Sequence, residues 1–256
     1  MEIAMHALAT VALTATLLTG PALAGPSERL VEPSLRVAPG GKEAPHVALT
    51  FDACMGKTDR RILSVLIDNR VPATIFVTSR WLKHNKDVLA ELQAHPDLFE
   101  IEDHGAMHVP AVDRPAHIFG ITAAGSSAAV DQEVRGGAEA IEAAGVTAPR
   151  WFRGATARYS KSAIEQIRKL GLRVAGYSVN GDGGSLLGAA TTEKRIAAAR
   201  DGDVVIAHIN QPTHAAGDGV AKGILALKAK GFSFVKLSDV PAEGSDGTTV
   251  ETVAGY

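Results

Sequence analysis

The pattern that most constrains this chain is the alternation of short apolar runs with segments of helical spacing. The runs are His46–Phe51, Ala73–Thr78, Leu98–Asp103, Arg150–Arg153, Arg173–Val179, Val204–Ile209 and Ser233–Leu237. Between them, Ile62, Val65, Leu66 and Asn69, and then Leu82, Leu89 and Leu92, recur at helical intervals. Helices are also predicted over Ser127–Ala144, Ser160–Leu170, Thr192–Arg200 and Val220–Lys230, with Gly145, Gly171 and Gly231 as stops. Ser162 and Glu165 have the spacing of a capping box. Strands without an obvious polar face, each followed by a helix, predict a parallel sheet covered on both sides.

A doubly wound sheet and a barrel both satisfy that pattern. The placement of reactive side chains separates them. Asp52 follows the first strand, His104 the third, Arg153 ends the fourth, Asp182 follows the fifth and His208 lies near the end of the sixth. Groups at the ends of so many strands converge only if those ends surround one mouth, as in a β/α barrel. The expected fold is therefore α/β, a distorted (β/α) barrel of about seven strands.

Residues 1–24 read as a signal peptide. Ala7–Leu18 is apolar and too short to span a bilayer, and Ala22-Leu23-Ala24 has the small-x-small form of a cleavage site. A lead over 25–44, one domain over 45–240 and a flexible, Gly/Ser/Thr-rich tail over 241–256 complete the expected organisation. The address is then periplasmic or secreted, and no later stretch is apolar enough to be a membrane span. With 26 basic against 28 acidic residues and no basic cluster, neither nucleic acid nor anionic lipid is an expected partner. Cys54 is the single cysteine, so no intrachain disulfide forms.

His104-Gly105-Ala106-Met107-His108 sets two imidazoles four residues apart, a spacing that can chelate one ion from a helix or a tight loop. Asp52 ends the first strand with a carboxylate suited either to accept a proton from an activated water or to ligate a metal. The plain alternatives are surface or core histidines and a turn aspartate.

Taken in order, Thr50-Phe51-Asp52, His104-x-x-x-His108, Phe152-Arg153-Gly154, Tyr177-Ser178-Val179-Asn180-Gly181-Asp182 and Ile206-Ala207-His208 resemble the motifs of the polysaccharide deacetylases. This is the NodB-homology domain of carbohydrate esterase family 4, and the resemblance spans about residues 45 to 240. It implies a NodB-like distorted barrel and an enzyme that hydrolyses an N-acetyl amide, or sometimes an O-acetyl ester, on a sugar polymer such as peptidoglycan. By that resemblance Asp52 matches the general base, and His104 and His108 match two ligands of a divalent metal, zinc with cobalt or nickel as other candidates. Arg153 matches the arginine that orients the base, and His208 matches the general acid, tuned by Asp182. The implied partner is an acetylated glycan.

The sequence departs from the family pattern where a second Asp usually follows the first as the third metal ligand. Here that residue is Ala53, which cannot ligate. Either the two histidines and waters hold a weaker ion, or Asp52, Asp103 or the thiolate of Cys54 fills the gap, and a buried inert thiol is the simpler expectation for Cys54. The third motif also lacks a proline after Arg153, and Gly183 stands where the fourth has tryptophan. Loss of a ligand admits a second function class, a non-catalytic glycan-binding protein on the same scaffold. Amide hydrolysis on a small non-sugar substrate is a third.

Overall fold

The computed structural model describes residues 29–247 and the backbone of 249–250. The proposed signal peptide lies outside the described residues. Eight parallel strands form the main sheet: β1 (His46–Ala53), β2 (Ala73–Val77), β3 (Phe99–Asp103), β4 (Trp151–Phe152), β5 (Arg173–Val174), β6 (Val179–Asn180), β7 (Val204–His208) and β8 (Ser233–Val235). Their order is β6-β7-β1-β2-β3-β4-β5, and β8 pairs with the first residues of β1.

The two ends of that path belong to one extended segment. β5 pairs with β4, and after the short stretch Ala175–Ser178 the same segment pairs with β7 as β6. The sheet therefore curls back on itself into a distorted barrel, and its seam falls inside the run expected as a single strand. The break has a local cause: a Cβ on Gly176 would lie 2.2 Å from the carbonyl oxygen of Pro33, where the N-terminal chain crosses the seam. The seven expected runs all appear, with this one divided.

Strand alternation sorts side chains between two layers. Val47, Leu49, Phe51 and Ala53 of β1 pack outward with Ile75, Val77, Val205 and Ala207 against the helices. Ala48, Phe76, Trp151, Ala175 and Val204 fill the interior together with Leu35, Val37 and Leu237. Leu35 and Val37 come from the lead, where Ser34–Val37 pairs antiparallel with Ala242–Ser245 from the C-terminal stretch.

The helices are α1 (Arg60–Asp68), α2 (Ser79–His84), α3 (Lys86–Gln93), α4 (Ser127–Ala143), α5 (Lys161–Lys169), α6 (Ala189–Ala197) and α7 (Ala216–Ala229). The N-cap of α5 lies two residues before Ser162, the expected start of a capping box. Ser160 caps α5 by accepting from the Ala163 amide, and Ser162 donates instead to Asp113. Among the described residues no helix is long and apolar enough to cross a membrane.

Candidate active site

The parity that places Ala48 and Thr50 inside the barrel also turns Asp52 inward at the end of β1. The same rule acts on the other strands. On β3, Phe99 and Ile101 face the helices, so His104, one residue past the strand, faces inward. On β4 Phe152 faces out and Arg153 in; on β7 Val205 and Ala207 face out and His208 in. Four functional side chains thus meet at one mouth because each sits at an even step from its strand's interior positions.

Asp52, His104 and Arg153 are all buried. Arg153 donates from Nη1 to Asp52 Oδ1 at 3.0 Å, and its other nitrogens donate to the carbonyls of Ala175 and Gly176 at 3.2 and 3.1 Å. Its guanidinium also stacks 4.3 Å from the centroid of Phe76. Burial works against charge on Asp52. His104, Arg153 and His208 outweigh it and hold the carboxyl below its ordinary range.

His104 Nδ1 donates to the Arg153 carbonyl at 2.5 Å. That bond fixes the tautomer and leaves Nε2 facing the site, 3.8 Å from Asp52 Oδ2 and 3.4 Å from Cys54 Sγ. Burial lowers the pKa of His104, but Asp52 and Cys54 outweigh it and raise it to about 9. His108 returns to the same point from a tight loop, with its ring centroid 5.0 Å from that of His104.

Two features of the loop make that return possible. Gly105 has φ +87°, and a Cβ there would lie 2.3 Å from Glu133 Oε1. His108 itself has φ 64°, a left-handed conformation uncommon outside glycine. The buried Glu133 of α4 holds the loop in place, accepting at Oε1 from the Val109 amide at 3.1 Å and at Oε2 from the Met107 amide at 2.9 Å.

His208 pairs with Asp182 twice: its backbone N–H donates to Oδ2 at 2.7 Å, and Nδ1 lies 3.1 Å from Oδ1. Burial opposes protonation of this imidazole, but Asp182 overrides it and raises the pKa well above the ordinary histidine value.

Of the groups weighed for the third ligand, Asp103 faces the wrong way. Its Oδ1 accepts from the Gly105 amide at 2.7 Å on the outer face, where a Cβ on Gly137 of α4 would nearly touch it. Among the described residues, the set whose donor atoms all lie within 4.8 Å of one another is Cys54, His104 and His108. This donor set, one sulfur and two imidazole nitrogens, suits a zinc-like ion. Burial raises the Cys54 thiol, but His104, with hydrogen bonds from His104, His108 and His208, holds it well below the usual thiol value.

Glu133 escaped attention in the sequence. Glu133 left a signal, an acid within the apolar stripe of Val130, Val134 and Ile141 on α4. Asn210, in the Asn210-Gln211-Pro212 stretch after His208, donates to the Met55 carbonyl and braces the turn after Cys54.

A curled parallel barrel with an aspartate, a histidine pair, an arginine and a histidine–aspartate pair at its C-terminal mouth defines a polysaccharide-deacetylase-like protein. Residues 40–175 match the family model for polysaccharide deacetylase, and the chain belongs to that family. No curated protein matches the sequence. Among solved structures, it is similar to a CE4 family pseudoenzyme from Bacillus anthracis at 21% identity and TM-score 0.62, covering 80% of this chain and 67% of that one. The family 4 carbohydrate esterase from Streptomyces lividans, solved with acetate, matches at 21% identity and TM-score 0.59, covering 78% and 95%. The peptidoglycan deacetylase PdaC from Bacillus subtilis matches at 20% identity and TM-score 0.59, covering 77% and 89%. These likenesses establish the distorted NodB-like barrel.

Proposed function

We propose that this chain is a metal-dependent hydrolase that removes N-acetyl groups, with O-acetyl groups as a lesser substrate, from an amino-sugar polysaccharide such as peptidoglycan. The observation that carries this reading is the meeting of Asp52, His104, His108 and His208 at one mouth, with Arg153, its backbone carbonyl and Asp182 setting the direction or charge of Asp52, His104 and His208. Periplasmic or secreted placement accords with such a substrate and with the signal peptide read over residues 1–24.

His104 and His108 would hold the ion, and the fixed tautomer of His104 fits that task. A bound divalent ion, zinc foremost, would polarise the acetyl carbonyl and lower the pKa of a nearby water. The chain's own residues do the rest. Asp52, kept ionised and aimed by Arg153, accepts a proton from the attacking water. His208, kept cationic by Asp182, gives a proton to the departing amine as the C–N bond breaks, leaving acetate and a free amino sugar. Both groups are biased toward the protonation states this sequence needs at neutral pH.

The test is acetate release from N-acetylglucosamine oligomers and peptidoglycan by the purified chain with added zinc or cobalt. Acetate release lost in His104→Ala, together with bound metal, is the expected result. Failure to release acetate from any acetylated glycan overturns the proposal. A second reading, non-catalytic glycan binding, is favoured by Ala53 at the family's usual ligand position and by the likeness to a pseudoenzyme. It requires glycan retention without acetate release.

A further inference from the structure

We propose that Cys54 supplies the third metal ligand, so that a thiolate replaces the carboxylate missing at Ala53 and the site is Cys-His-His. The inference rests on the metal-dependent reading above and names a ligand that this reading leaves open.

Three independent features converge on Cys54. Strand parity is the first. Ala48, Thr50 and Asp52 lie on the interior side of β1, and Cys54 continues the series, whereas Ala53 belongs to the outer apolar layer beside Val77 and Trp81. A donor is thus offered one residue later than in the family pattern, on the side where the histidines are.

Distance is the second. A tetrahedral ion with Zn–S of about 2.3 Å and Zn–N of about 2.0–2.1 Å separates sulfur and nitrogen by roughly 3.6 Å. Cys54 Sγ lies 3.4 Å from His104 Nε2, and both lie within 4.8 Å of a ring nitrogen of His108. A buried thiol among apolar neighbours is inert, but this one faces two imidazoles.

The third feature is the backbone that aims the side chain. The Cys54 carbonyl accepts from the Thr78 hydroxyl, and the next carbonyl, of Met55, accepts from Asn210. The turn is thereby pinned immediately after the thiol. Asp103 turns to the Gly105 amide on the outer face, and Asp52 gives Oδ1 to Arg153, with Oδ2 3.8 Å from His104 Nε2, farther than the 3.4 Å of Cys54 Sγ. A thiolate carries the same single negative charge as an aspartate, and its softness favours zinc or cobalt over magnesium, calcium or manganese.

Cobalt(II) substitution of the full chain tests this without any assay of activity. The expected spectrum contains a thiolate-to-cobalt charge-transfer band in the near ultraviolet, absent in Cys54→Ser. Because Cys54 is the only cysteine, iodoacetamide mass labelling reports it alone, and zinc should protect it in the wild-type chain. Zinc affinity in Cys54→Ser should fall at least about tenfold. Cobalt bound without that band, with alkylation equally fast in the presence and absence of zinc, overturns the Cys54 assignment and leaves the metal-dependent reading standing. A wild-type chain that takes up neither zinc nor cobalt overturns both.

Discussion

The wholly buried Arg153 ties Asp52 to the seam of the barrel: one guanidinium nitrogen donates to Asp52 Oδ1 at 3.0 Å while the others hold the carbonyls of Ala175 and Gly176. A single side chain therefore orients the Asp52 carboxylate and satisfies the two carbonyls left free between β5 and β6. Arg153→Met removes the hydrogen-bonded cation from a buried carboxylate and the donor from both carbonyls. The expected loss of unfolding free energy is about 3–5 kcal/mol, measured by urea denaturation. A loss below about 1 kcal/mol, typical of an exposed pair, would show that the seam does not depend on it.

The His208–Asp182 pair should set the alkaline limb of activity. Asp182 raises the pKa of His208 against the effect of burial, and the proposed chemistry needs the imidazole protonated. Activity then falls as pH rises through the His208 value. Asp182→Asn removes the charge that raises it, so the alkaline limb of kcat/KM should move to lower pH. A pH–rate profile of both proteins checks the direction, and an unmoved limb rules out this pairing as the source of the acid.

Restoring the family's aspartate at position 53 tests the parity argument. Because Ala53 is buried in the outer apolar layer, Ala53→Asp should destabilise the chain and bring no gain in zinc affinity. Burial of an unpartnered polar group costs about 1–3 kcal/mol and more for a charge. Isothermal titration with zinc and thermal unfolding measure the two effects. Tighter zinc binding would place the aspartate in the site and contradict the assigned facing of β1.

Glu133 is expected to act on metal affinity without touching the metal. It holds the Met107 and Val109 amides on either side of His108, whose left-handed backbone needs that support. Glu133→Ala should weaken zinc binding by about 10–100-fold with the far-ultraviolet circular dichroism unchanged, and Glu133→Gln should recover part of the loss. Competition with a chromophoric chelator gives both constants.

Acid stability should depend in part on Asp201. Its carboxylate accepts from the amides of Gly40, Gly41 and His46 at 2.9, 2.8 and 3.0 Å. Slight burial opposes its charge, and these donors outweigh it, so its pKa in the folded chain is lowered. A depressed carboxylate contributes stability above its unfolded value of about 3.9, and that contribution is lost as pH falls through the folded value. The urea midpoint of the wild type should therefore drop more between neutral and acid pH than that of Asp201→Asn.

The strand–helix alternation, the barrel class and the residues at strand ends were legible because they depend on period and order along the chain. Alternation along a strand is a local property, so the inward facing of Asp52, His104, Arg153 and His208 follows once each strand is placed. The division of Arg173–Val179 was not legible, because it arises where Pro33, distant in sequence, crosses Gly176. Nor was the pairing of the lead with Ala242–Ser245, since neither stretch has a strong strand pattern and each is ordered by the other.

The site divides in the same way. Sequence order by itself determined the histidine pair and the aspartate at the first strand's end, and the resemblance to the deacetylase motifs marked the missing ligand at Ala53. Only the tertiary structure separates Asp52, Asp103 and Cys54 as candidates for the third position, and it favours the proposed Cys54. That choice turns on which side of the sheet each side chain leaves and on what stands 3.4 Å away, and a linear sequence does not carry distances between strands that meet only when the sheet curls.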